Sequence, residues 1–243
     1  MARHKAVSKA RWLVSQKRIS ELWQKESLLA NEQARMQRCY LPLLARHRPN
    51  IGEKTHILDL CCGPVCTAGL IEKGEKVYLD PMLDAYRRMY PGKLPKGRHV
   101  ALPAEKIPEK KHSFDVILCI NGLDLVLNPE LTLNEIERLL KPSGTLLFGV
   151  TVFPAPLVRL RYFCEHFFSL LRDEAHPYSY SLPALERSLS RHFDIIETVQ
   201  LDEVCVAETR SMGREYAFVC RARTAKVKEV QDKEASGSKP GKP

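Results

Sequence analysis

Four short stretches of this chain bring together residue types that could bind or react with a small ligand. The first is Leu58-Asp59-Leu60-Cys61-Cys62-Gly63-Pro64-Val65, an acid at the end of an apolar run followed by a tight, glycine-containing turn. The second is Lys76-Val77-Tyr78-Leu79-Asp80, again an apolar run closed by an acid. The third is Ala104-Glu105-Lys106-Ile107-Pro108, and the fourth is Asn121-Gly122-Leu123-Asp124 at the end of Phe114 to Ile120. An acid before a turn attracts a positive charge, directly or through water. An acid closing the next run can accept both hydroxyls of a ribose. Together they suit a ligand with a cationic end and a ribose. A dinucleotide would need G-x-G-x-x-G, yet after Gly63 the next glycine is Gly69, and no G-x-x-x-x-G-K-[ST] phosphate loop occurs. Cys61, Cys62 and Cys66 do not read as a metal site, because adjacent cysteines hinder one another in a tetrahedron and no Cys/His pair has zinc-like spacing.

The elements that must position these residues follow from periodicity. Thr55 to Leu60, Lys76 to Asp80, Phe114 to Ile120 and Gly144 to Val150 are near-continuous apolar runs of strand length. Leu131 to Leu140 has helical spacing and stops at Lys141-Pro142-Ser143-Gly144. Such alternation predicts an α/β protein: a doubly wound, Rossmann-like, seven-stranded and mostly parallel sheet covered on both faces. Phe193 to Val199 and Glu215 to Arg221 lack an intervening helical pattern, which predicts an antiparallel C-terminal pair. In such a sheet ligands bind at the carboxyl ends of the strands, where the first, second and fourth stretches fall, with the third just before the Phe114 run. Residues 1–50 read as helix, with stripes Trp12, Ile19, Leu22, Trp23 and then Met36, Tyr40, Leu43, Leu44, ending at Arg48-Pro49-Asn50.

The chain has 243 residues and a net charge of +9, with 44% hydrophobic and 28% charged residues, a composition able to bury a core. The charge lies at the ends: residues 1–50 carry 11 basic and 3 acidic residues (+8) and residues 221–243 carry 7 and 3 (+4), leaving −3 between. A nucleic-acid partner is therefore not expected, since no aromatic-interleaved basic motif accompanies the excess. No apolar stretch reaches the ~18 residues of a membrane span. No secretory signal is apparent, and the eight cysteines fit reduced thiols, so a cytoplasmic location is expected. Three parts are expected: a basic helical segment 1–50 covering the cleft, a domain 51–223, and a disordered polar tail 224–243.

From about Thr55 to about Phe193 the chain resembles the class I S-adenosylmethionine-dependent methyltransferases, in particular the methyltransferase type 11 group. Leu58, Asp59, Cys62 and Gly63 match its L-D-x-G-C-G-x-G motif, with Cys61 at the first glycine and Val65 at the third. Ala104, Glu105, Ile107 and Pro108 match D-A-E-x-L-P-F, and Pro103 stands where an aspartate often holds the adenine amino group. Phe114, Asp115, Val116, Asn121, Leu123, Asp124 and Pro129 match a further motif, continued by Leu140, Lys141, Pro142 and Gly144. His176-Pro177-Tyr178-Ser179-Tyr180-Ser181 is similar to H-P-H-x-F-S. The resemblance implies S-adenosylmethionine as cofactor, bound by Asp59, Cys61, Gly63, Asp80, Ala104, Glu105 and Asn121. It implies methyl transfer to a small-molecule or glycan- or lipid-linked acceptor. His176 is the first candidate for a general base, Asp124 the second, and Asn121 is expected beside the reacting methyl. No metal is implied. Acceptor choice is expected in residues 153–180 and the N-terminal helices, with Trp12, Trp23, Tyr162, Phe167 and Tyr178 as apolar walls and Arg159 and Arg161 meeting an anionic group. The aromatic, basic stretch Leu157 to Leu171 is expected to form a lid or to touch a membrane surface weakly. Two rivals are a non-catalytic cofactor-binding or scaffold relative, suggested by Val65 and Pro103, and an RNA methyltransferase.

Overall fold

The structure, a computed structural model, describes residues 6–168, 170, 172–201 and 212–223; the expected tail 224–243 lies outside them. Three N-terminal helices, α1 (Lys9–Leu22), α2 (Glu26–Arg35) and α3 (Leu41–His47), precede the sheet, with a π-helical turn at Met36–Tyr40. The strands are β1 (His56–Leu60), β2 (Glu75–Leu79), β3 (Arg98–Val100), β4 (Phe114–Ile120), β5 (Leu140–Val152), β6 (Phe193–Gln200) and β7 (Arg214–Ala222). Helices α4 (Leu83–Met89), α5 (Pro129–Leu139), α6 (Ala155–Phe167) and α7 (Leu182–Leu189) connect them. They form one seven-stranded sheet in the order β3-β2-β1-β4-β5-β7-β6. The first five strands are mutually parallel, whereas β7 runs antiparallel between β5 and β6. This is the doubly wound arrangement with an antiparallel C-terminal edge that the patterning predicts.

Strand periodicity divides the apolar runs between two cores. Leu58, Leu60, Ile117, Cys119, Leu146 and Phe148 face α5 and α7, meeting Leu133, Ile136, Leu185 and Leu189. Ile57, Tyr78, Val116, Leu118 and Leu147 face the other way, onto Met36, Tyr40, Leu43, Leu44, Leu83 and Tyr86. The N-terminal segment thus supplies much of one face's core. Gly149 of β5 shows how tightly: a Cβ there would fall 2.2 Å from the Tyr40 hydroxyl. β5 starts at Leu140, directly after α5, rather than at Gly144, because Leu140 pairs with Phe114 before a register irregularity in β4. Asn128 caps α5 by accepting from the Glu130 and Leu131 amides. Among the described residues no helix is long and apolar enough to cross a membrane.

Candidate active site

The strand order reverses between β1 and β4, and the carboxyl ends of these strands and of β2 and β5 open into one cavity. Every residue assigned from sequence to cofactor or catalysis lines it: Asp59, Cys61, Gly63, Asp80, Ala104, Glu105, Asn121, Asp124 and His176. Its open space, mouth included, is about 1000 Å³.

The acid ending β1 is buried, and its Oδ2 accepts from the Ala68 amide at 2.8 Å. Burial drives the Asp59 carboxyl up to about 7, against the Ala68 hydrogen bond and with help from the nearby charge of Asp80. Asp80, just past β2, accepts from the Gly63 amide (3.0 Å) and the Met82 amide (2.8 Å). Burial still lifts its carboxyl to about 6. The Asp80–Gly63 bond ties the two acidic strand ends into one loop structure. Gly63 has φ +52° and nothing within 4 Å of where a Cβ would stand, so the backbone lies open to the cavity.

Positive φ elsewhere in this loop falls on Cys61 (55°) and Cys66 (47°), not on Val65. The valine therefore sits in the turn without the conformational strain that a glycine replacement would suggest. Gly122 is required beside Cys61, because a Cβ there would lie 2.4 Å from the Cys61 Cβ. The thiols pair off, Cys61 with Cys119 and Cys62 with Cys66. Cys61 is held protonated by its hydrogen bond with Cys119 and by burial, and Cys62 by burial and its contact with Cys66, 3.9 Å away. Among the described residues no group of three or more His, Cys, Asp or Glu is placed to hold a metal ion.

On the opposite wall Glu105 Oε1 accepts from the Asn128 amide at 2.8 Å, while its Oε2 is buried without a hydrogen-bond partner. Asn121 follows β4 with φ 51° and donates through Nδ2 to Glu215 Oε1 at 3.0 Å. A carboxylate only accepts, so that bond fixes the amide's orientation and leaves Oδ1 buried without a partner. Orphaned acceptors in a cavity suit a ligand that brings N–H or O–H donors. His176 is buried, and its Nδ1 lies 3.5 Å from Asp173 Oδ2. Asp173 also accepts the His176 amide, and its carboxyl is held below the usual range by His176 and Arg161 despite burial.

The N-terminal helix α1 closes the cavity with Trp12, Gln16 and Ile19, joined by Trp23 just after it. It is moored by Gln16 Nε2 donating to the Leu125 carbonyl (2.8 Å) and the Ser15 hydroxyl donating to the Ala175 carbonyl (2.5 Å). Trp12 and Trp23 thus reach the cavity as the sequence suggests, whereas Tyr162, Phe167, Tyr178, Arg159 and Arg161 do not line it. Arg161 instead bonds Glu165, Ser179 and the His176 carbonyl, and the Tyr178 hydroxyl donates to the Leu127 carbonyl. Phe167 points outward, 61% exposed.

Sequence reasoning missed a buried ionic cluster behind the acceptor wall. Arg35 bonds Glu32 and, at 2.7 Å, Glu215 of β7; Tyr40 donates to the same Glu215 oxygen at 2.5 Å. Burial works against the Arg35 charge, yet Glu215 and Glu32 hold it protonated. Glu32 also lines the cavity. In sequence these residues look like a solvated helix face and an edge-strand acid; only the Glu32/Arg35 spacing of three hinted at a pair.

Residues 58–148 match the family model described as a methyltransferase domain. This match and the strand order agree with the type 11 methyltransferase resemblance carried by the motifs. Solved structures share the fold at low identity. A 1,6-didemethyltoxoflavin-N1-methyltransferase from Burkholderia thailandensis, with bound 1,6-didemethyltoxoflavin and S-adenosylhomocysteine, is 16% identical at a TM-score of 0.57, covering 91% of this chain and 94% of its own. A geranyl diphosphate C-methyltransferase from Streptomyces coelicolor is 11% identical at 0.58, covering 80% and 82%. A SAM-dependent methyltransferase from Methanosarcina mazei is 19% identical at 0.56, covering 74% and 97%. No curated protein is recognisably similar in sequence.

Proposed function

We propose that this chain transfers a methyl group from S-adenosylmethionine to a small-molecule or glycan- or lipid-linked acceptor. The observation that carries the reading is Asp80: a buried carboxylate next to Gly63 whose oxygens each accept one backbone N–H and retain capacity for more. When bound, the cofactor supplies an electrophilic methyl on a sulfonium. In this reading Asp80 accepts the ribose hydroxyls, Asp59 faces the ammonium end, Gly63 permits close backbone approach, and Ala104 and Glu105 border the adenine. Cys61 and Asn121 complete the wall.

The protein's share of the chemistry is alignment and the exclusion of water. Trp12 and Trp23 supply the cover. In the tautomer with its proton on Nδ1, the side nearer Asp173, His176 offers Nε2 as the atom that takes a proton from the acceptor. Asp124 is the second candidate for that role. Asn121 Oδ1 receives a donor from whichever group lies beside it. The cavity lining holds Asp and Glu but neither Lys nor Arg, which supports an uncharged or cationic acceptor over an anionic one.

Calorimetry with S-adenosylmethionine and S-adenosylhomocysteine tests the reading. Binding is expected in the parent, with a loss of tenfold or more in Asp80→Ala, from charge-assisted hydrogen bonds worth ~1.5–3 kcal/mol each. No binding in the parent, or unchanged binding in the variant, removes the assignment.

A further inference from the structure

Helix α6 is amphipathic in the reverse sense. Its inward contacts are ionic: Glu165, the one residue of the helix that is fully buried, bonds Arg11 of α1 and Arg161, each at 2.8 Å. Its large apolar residues Leu160, Phe163 and Phe167 face out, while Leu157, Val158 and Tyr162 are half-buried. Leu160 is 57% exposed and Phe163 and Phe167 are each 61% exposed, at spacings of three and four on one face, followed by Phe168 at 59%. The Phe163 and Phe167 rings contact each other at 4.8 Å between centroids instead of packing into either core. An ordinary surface helix turns such a face inward, and a contiguous exposed aromatic patch marks an interaction surface.

The charges around the patch indicate what covers it. Arg159, His166 and Arg172 are exposed, and Glu165, the one acid between Pro154 and Arg172, is turned inside. The outward face is therefore apolar and basic with no acid. We propose that α6 docks this face on an anionic lipid bilayer, with Leu160, Phe163 and Phe167 entering the acyl boundary and Arg159 and Arg172 meeting lipid phosphates. That is the composition of an interfacial helix that lies on, and does not cross, a membrane. The helix belongs to the connection that leaves the cavity wall at Thr151 and returns to it at His176, so the docked face and the cavity share one excursion of the chain.

Co-sedimentation of the full chain with vesicles tests this, using equal parts phosphatidylcholine and phosphatidylglycerol against phosphatidylcholine alone. Binding is expected to the anionic vesicles only, weakening as salt rises. The double variant Phe163→Ser/Phe167→Ser should lose about tenfold or more of that binding. Arg159→Gln/Arg172→Gln should lower it and flatten its salt dependence. Both pairs lie outside the cavity lining, so S-adenosylhomocysteine affinity should stay at the parent value, which checks folding and separates this result from the fate of the proposed activity. Three outcomes overturn the proposal. The first is no binding to anionic vesicles. The second is equal binding by the parent and the phenylalanine variant, which assigns the attraction to the basic ends. The third is a parent dimer that the phenylalanine variant dissolves, which assigns the patch to a second copy of this chain.

Discussion

Lowering the pH from 8 to 6 should weaken cofactor binding through the two strand-end acids. Unliganded, the Asp59 carboxyl titrates at about 7 and that of Asp80 at about 6. At pH 6 Asp59 is then about one-tenth ionised and Asp80 about half, whereas at pH 8 both are at least about nine-tenths ionised. If the ligand engages the carboxylates, its affinity falls about twentyfold between pH 8 and pH 6, roughly tenfold from Asp59 and twofold from Asp80. Binding at pH 6 must also release about 1.4 protons, the sum of the two protonated fractions. Calorimetry at several pH values, in buffers of different ionisation enthalpy, reads both quantities. Asp59→Asn should bind more weakly at pH 8 and retain only the twofold dependence. An affinity independent of pH between 6 and 8, with no proton released, would refute the assignment of these acids to the ligand.

The same raised carboxyls predict a stability trend of fixed sign: the folded pKa lies above the unfolded one, so their stabilising contribution is complete below about pH 4 and lost as pH rises through about 7. The gain in melting temperature on adding S-adenosylhomocysteine should accordingly be larger at pH 8 than at pH 6. Val65→Gly should bring no gain in cofactor affinity, since Val65 is not the strained residue of its loop; a marked gain on calorimetry would favour the non-catalytic reading. Arg35→Met should destabilise the protein by ~3–5 kcal/mol in urea unfolding, because it leaves Glu32 and Glu215 buried without their cation. Deleting residues 1–24 should leave a folded protein with weakened cofactor binding, whereas deletion to residue 45 should abolish folding, since Tyr40, Leu43 and Leu44 are core.

Legibility followed range. β1, β2 and β4 were visible because each is a continuous apolar run, and their terminal acids and glycine mark the ligand end. β3 escaped because three residues, Arg98–Val100, present no pattern of their own. The start of β5 was hidden by Lys141-Pro142-Ser143-Gly144, which reads as a turn but lies within the strand. Amphipathic spacing puts Trp12 and Trp23 on one helix face, and only the family resemblance turns that face to the cleft. Arg159 and Arg161 could not be excluded from it, because nothing local reveals that Glu165 and the His176 carbonyl hold Arg161. Asp173, three residues before His176, was overlooked, although that spacing is the reach of a loop carboxylate to a histidine ring. The Arg35–Glu215 pair spans 180 positions and leaves no periodic trace.

That pair also sets the order in which the molecule can be completed during synthesis. Arg35 leaves the ribosome 180 residues ahead of Glu215, and until then the arginine, Tyr40 and Asn121 wait for the carboxylate they share. β5, which pairs with β7 from Thr145 to Val152, likewise keeps an open edge until β7 emerges. A nascent chain can thus hold the β1–β4 strands and still present its N-terminal helices unsealed. Non-local closure of this kind is slow and exposes unfinished surface to aggregation. A ribosome stalled before residue 215 would carry the strand-end acids of the site but not the ionic knot that braces its wall.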